Sequence, residues 1–172
     1  MLQDKYLPSF HFSEKHSLVI HSSPAKIFPF VQSLDVGGSS IIRMLFWLRG
    51  IPASMMSLNG LAKGKFIILE ELPTEELIIG LIGRFWKPSG DLQHFDPAEF
   101  TSLNPPGCAK ASWSFQLIPY KDSTLLETET RIYCTTESSR KDFSKYWFVV
   151  KPFSGLIRKE MLKSIKQKAE AN

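Results

Sequence analysis

The sequence predicts an α+β domain in which a curled antiparallel β-sheet wraps around one long C-terminal α-helix, with two short helices after the first strand. Three observations carry this. Residues 109–117 and 124–134 alternate apolar and polar positions at a period of two, on either side of a short turn. Residues 65–86 hold two further apolar runs split by Pro73 and Thr74. Phe143, Trp147 and Val150, then Ile157, Met161 and Ile165, line up as one helical stripe in the C-terminal segment. The sheet has an apolar face to cover, and only this helix is long enough to cover it. That is a helix-grip arrangement, and it leaves a hollow between helix and sheet.

Residues 10–21 end in a β-branched run and form the first strand. Ser23 then caps a helix that Pro24 starts, with Ile27, Phe30, Val31 and Leu34 on one face and Pro29 as a bend. After "DVGGSS", Ser40 caps a second helix over 41–49, apolar nearly all round. Strands 65–72 and 75–86 follow, joined by a two-residue turn that sets Ile68 opposite Ile79. Both faces of this pair are fairly apolar, so each needs a cover. Asp96, Pro97 and Glu99 spell one capped helical turn. The next hairpin turns at Lys121–Asp122, which pairs Ala111 with Ile132, Trp113 with Thr130, and Phe115 with Thr128. On its other face Ser114 meets Glu129, Gln116 meets Glu127, and Ser112 meets Arg131. Helix 138–150 comes last, broken near Pro152–Gly155, and resumes over 156–170.

The inner face of the hairpin mixes large aromatics with threonines. A cavity wall tolerates that mixture, and so does an ordinary sheet in which Thr128 and Thr130 are simply good β-formers. Trp113, Phe115, Thr128, Thr130 and Ile132 are the candidate lining residues from the sheet. Phe143, Tyr146, Trp147 and Val150 are those from the helix. Arg84, at the end of a strand, is the candidate partner for a ligand carboxylate or phosphate. Glu127, Glu129 and Arg131 invite acid–base chemistry, but the register turns them to the polar face, as a solvated ladder of opposite charges. A one-residue slip would put them inside.

The chain has 172 residues, 43% of them hydrophobic, enough for one core. Residues 138–172 hold nine Lys or Arg against three Asp or Glu, so the formal net charge of +4 arises in the tail. A single basic helix is a poor docking face for nucleic acid, and no nucleic-acid partner is expected. The N-terminus lacks the apolar core of a secretion signal, and no apolar run reaches the ~20 residues that span a bilayer. Two cysteines, Cys108 and Cys134, suit a cytoplasmic protein with free thiols. No nucleophile elbow, phosphate loop or dinucleotide fingerprint occurs. His11, His16, His21 and His94 form no pair at ligand spacing, so neither a metal nor a cofactor is expected. "GLIG" at 80–83 marks close packing against a neighbour.

"LVIHSSPAKIFPFV", "IIGLIGRFW", "AKASWSFQLIP" with "TLLETETRIYC", and "DFSKYWFVVKPFSGLIRKEMLKSIK" together resemble the superfamily of START lipid-transfer domains, the birch-pollen allergen and bacterial polyketide cyclase/dehydrase-like proteins (SRPBCC). The resemblance spans nearly the whole chain and implies a single START-like helix-grip domain over residues 1–172. It implies a hydrophobic or amphipathic small-molecule partner, lipid- or polyketide-like, held in the cavity by a carrier or sensor. A cyclase-like enzyme on the same fold is the alternative, and the superfamily supplies no universal catalytic residue. The third reading is weak peripheral contact of the basic C-terminal helix with an anionic membrane.

Overall fold

The computed structural model describes residues 1–33, 66–87 and 91–171. The helix expected over 41–49 lies outside the described residues. Helix α1 is Leu2–Tyr6, β1 Phe12–Ile20, α2 Pro24–Gln32, β2 Ile67–Leu72 and β3 Glu76–Gly83. A 3-10 turn at Pro97–Glu99 precedes β4 (Ala109–Tyr120) and β5 (Ser123–Cys134), and α3 runs from Glu137 to Glu170. The strands form one antiparallel sheet in the order β1-β5-β4-β3-β2. The long helix lies on one face of it, so the chain has the helix-grip α+β fold.

The β4–β5 register is the one expected: Ala111 pairs with Ile132, Trp113 with Thr130, Phe115 with Thr128, and Ser114 with Glu129. Lys121 takes a left-handed conformation (φ 52°) in the two-residue loop. The β2–β3 turn differs from expectation. Leu72 pairs with Glu76, so the turn has three residues rather than two. A bulge between Ile68 and Glu70 absorbs the extra residue, and Ile68 still faces Ile79.

The inner face packs at its two ends. Towards one end, Met161, Leu162 and Ile165 of α3 meet Ile27, Phe28 and Val31 of α2 and Phe115, Leu117 and Leu126 of the sheet. Towards the other, Phe143, with no exposed surface, sits among Phe12, Phe85, Trp86, Tyr146 and Trp147. Its ring centroid lies 5.0–5.8 Å from all five of those rings. These are favourable separations: Trp147 stacks on Phe143, and the other four rings meet it tilted or edge-on.

The expected break in the C-terminal helix is absent: α3 is continuous over 34 residues, about 50 Å. Pro152 is exposed, and the carbonyl it leaves without an N–H belongs to Phe148, itself 85% exposed. Both residues lie on the exposed side of the helix, so the lost bond falls at the solvent surface and not in the core. Thr136 caps the start: its hydroxyl accepts from the Ser139 N–H at 3.2 Å, and the Ser139 hydroxyl accepts from the Thr136 N–H at 3.1 Å.

The N-terminal ten residues hold a second correction. Only Phe12–Ile20 is strand, and α1 lies across the outer face of the sheet. Leu2 and Leu7 pack there with Ile78, Ile82, Phe95 and Phe100. Gly80 allows this packing, because a Cβ there would come within 2.8 Å of Leu69 and 2.9 Å of Phe100. Gln3 is fully buried, donating to the Glu129 carbonyl at 2.8 Å and accepting from the Ser112 hydroxyl. Glu129 and Arg131 point away from α3 as expected, yet they are not solvated. Both are less than a tenth exposed, and the Arg131 Nε donates to Glu129 at 2.9 Å. Its Nη1 reaches Asp4 of α1 at 2.7 Å, and that hydrogen bond holds the Asp4 carboxyl below its ordinary range. Glu127 alone stays near water, paired with Lys15 at 2.6 Å.

Candidate functional site

Between the two packed ends of the inner face lies a polar cluster built from β1, β5 and the middle of α3. Its centre is Arg158, 8% exposed. Helical spacing puts Ser154 four residues before it, and the Arg158 Nη1 donates to both the carbonyl (3.1 Å) and the hydroxyl of Ser154. The Nη2 donates to the Thr130 hydroxyl at 2.6 Å. Glu14 of β1 receives Nη1 at 3.4 Å, and its other oxygen is 3.0 Å from Nε2 of His16. The guanidinium lies over the Trp113 ring at 5.6 Å, a cation–π contact. Trp113 in turn donates its indole N–H to Thr128 at 2.7 Å.

Gly155 makes this possible. A Cβ at that position would come within 2.5 Å of the Glu14 carboxylate and 3.3 Å of His16. The missing side chain lets α3 press onto β1 where the carboxylate sits. The glycine signals close approach here, not a break.

The cluster answers why threonines stand beside aromatics on the inner face. Thr130 and Thr128 accept from Arg158 and Trp113 in a region with little water. Trp113 and Ala111 on the central strand are only half-buried, so the sheet is incompletely covered beside the cation. A buried guanidinium, a carboxylate–imidazole pair and an indole face can hold an anionic or strongly polarised group at the end of an apolar body.

The candidate residues separate into groups. Trp113, Thr128 and Thr130 join the Arg158 cluster. Ile132, Phe143, Tyr146 and Trp147 belong to the aromatic end, and Phe115 to the aliphatic end. Phe115, Thr128 and Phe143 have no exposed surface, and Val150 is 9% exposed. Arg84 lies elsewhere, 3.8 Å from Asp91, in a depression of about 550 Å³ bordered by Gln93, Pro105 and Cys108. Among the described residues none of α3 lines it. Arg158, Glu14 and His16 escaped sequence reasoning. Arg158 sits in a basic run, and Glu14 and His16 sit in a strand without strict alternation. The available signal was Gly155, with Ser154 and Arg158 at helical spacing beside it.

Cys108 and Cys134 are buried free thiols, and burial pushes Cys134 up to about 11. No group of three or more His, Cys, Asp or Glu among the described residues is placed to hold a metal ion. No helix among them is long and apolar enough to cross a membrane.

No family model and no curated protein matches the chain. Solved structures do. The protein MLL2253 from Mesorhizobium loti is 12% identical with a TM-score of 0.48, covering 94% of this chain and 98% of that one. CalU16 from Micromonospora echinospora is 16% identical with a TM-score of 0.34, covering 92% and 84%. Ara h 8.0201 is 12% identical with a TM-score of 0.32, covering 94% and 99%. At these values the comparisons say nothing of ligand or chemistry. The helix-grip fold rests on the chain's own strand order, its register and the helix laid across the sheet.

Proposed function

We propose that this protein is a cytoplasmic carrier or sensor of a hydrophobic or amphipathic small molecule, lipid- or polyketide-like. The ligand's apolar body lies on the inner face of the sheet beside α3, and its polar end meets Arg158. The observation that carries this reading is a buried cation beside the half-covered Trp113 and Ala111 of the central strand. Burial of apolar ligand surface drives binding, and the guanidinium selects the head group. Trp113, Tyr146 and Trp147 are the proposed lining residues of the inner face with surface to offer.

Native mass spectrometry after gentle extraction tests it first, and a retained amphipathic compound is the expected result. Titration with a fatty acid and with its methyl ester follows, read by tryptophan fluorescence. The acid should bind more tightly, and Arg158→Met should erase the difference. If neither compound binds the purified protein, the reading fails.

A second reading has its own observation. Glu14 and His16 lie 3.0 Å apart beside Arg158, a base and a cation converging on one site. That pair suits proton abstraction next to a carbonyl in a cyclase-like reaction. Turnover of an enolisable polyketide analogue that is lost in His16→Gln, while binding persists, would favour it.

A further inference from the structure

We propose that the exposed side of α3 docks on an anionic lipid bilayer. Phe148 and Val149 are 85% and 62% exposed, and Phe153 and Leu156 are 38% and 41% exposed. With Pro152 they fall within about 140° of helix arc and about 12 Å of helix length. Large apolar side chains bared together on one helix face mark an interaction surface.

The charge around them decides the partner. Lys141 and Lys145 precede the patch, Lys159 and Lys163 follow it, and Lys151 flanks it; all five are exposed. Asp142 and Glu160 are the carboxylates on this stretch, and Glu160 is held by Lys163 at 2.8 Å. The surface is therefore an apolar centre within a net positive rim. A second copy of the chain fits it poorly, because a two-fold contact would bring lysines onto lysines. A bilayer fits it well. The rings and aliphatic chains enter the boundary between head groups and acyl chains, and the lysines extend to the phosphates.

This docking does not depend on the ligand reading, since the patch faces away from the inner side of the sheet. The test is flotation of the full chain with vesicles of phosphatidylcholine alone and of phosphatidylcholine mixed with phosphatidylglycerol. The protein should float with the mixed vesicles, not with the neutral ones, and float less as salt rises. Lys145→Gln with Lys159→Gln should weaken partitioning about fivefold per lysine. Phe148→Ser with Phe153→Ser should reduce it at least about tenfold; Phe148→Ser alone, at a side chain 85% exposed, should weaken it with the thermal midpoint unchanged. Failure to float with mixed vesicles overturns the proposal, as does equal flotation with both kinds. So does flotation insensitive to either double substitution. A dimer in sedimentation velocity that the phenylalanine substitutions dissolve would assign the patch to a second copy instead.

Discussion

Removing Arg158 should unfold this protein more readily than removing both charges of its ion pair. At 3.4 Å and an effective dielectric constant of about 20, the attraction between Arg158 and Glu14 is about 5 kcal/mol. Both side chains are about a tenth exposed or less, so desolvation offsets much of that. The net worth of the pair is small, but the penalty for orphaning one member is not. Arg158→Met leaves Glu14 buried with His16 as its remaining partner, and it removes the bonds to Ser154 and Thr130. The expected loss is about 3–4 kcal/mol. Glu14→Gln keeps the guanidinium bonded to Ser154, Thr130 and the Trp113 face, and it should cost about 2 kcal/mol. The double variant buries no charge at this point and should lose less than the two costs together, by about 3 kcal/mol, so that it is less destabilised than Arg158→Met alone. Urea unfolding measures all three, with m unchanged if the native state is intact. A loss below about 1 kcal/mol for Arg158→Met, or additivity within about 0.5 kcal/mol, would refute the argument that the pair is coupled and buried.

Other outcomes follow from the same structure. Phe143→Ala empties the centre of five rings and should cost about 3–5 kcal/mol in thermal or urea unfolding; a cost near that of a surface substitution would mean the rings close over the gap. Burial raises the Glu76 carboxyl above its ordinary 4.5. Its stabilising contribution is therefore present below 4.5 and is lost as pH rises through the folded value. Glu76→Gln keeps an acceptor for the Leu2 N–H and should gain on the wild type as pH climbs through that window; a pH-independent difference would contradict this. Cys134, 3% exposed and titrating at about 11, should react with a disulfide reagent only when the protein unfolds; rapid labelling of the native chain would show an opening unlike the described packing.

The strongest patterns in the sequence survived because they were repeated on two strands at once. In β4 and β5, Ser112, Ser114 and Gln116 face Arg131, Glu129 and Glu127, while Ala111 and Leu117 face Ile132 and Leu126, and a shift of one position would break both sets. The N-terminal helix was illegible for the opposite reason. Its five residues are too few to show a helical period, and its anchors are single long-range bonds such as Leu2 to Glu76 and Asp4 to Arg131. Glu129 and Arg131 were legible in direction but not in burial, because the cover over them lies more than a hundred residues away in sequence. The candidate site was half legible. Its sheet wall, Trp113 with Thr128 and Thr130, stood out as an odd mixture in an inner face. Its cation did not, since Arg158 sits in a basic run and only Gly155 and Ser154 beside it set it apart from the lysines. Proline and glycine suggested a break, yet the proline faces water and the glycine faces a carboxylate.

That glycine also limits how the long helix can travel. Gly155 is a notch, and the Glu14 carboxylate is the tooth that fills it. Sliding α3 by one turn, about 5.4 Å, would bring Lys151 or Lys159 to the tooth, and neither leaves room for it. The helix is therefore keyed along its axis, like a shaft on a pin. It can roll or lift about that point, but it cannot slip lengthwise, and any widening of the space beneath it must be a tilt with Glu14 as its pivot.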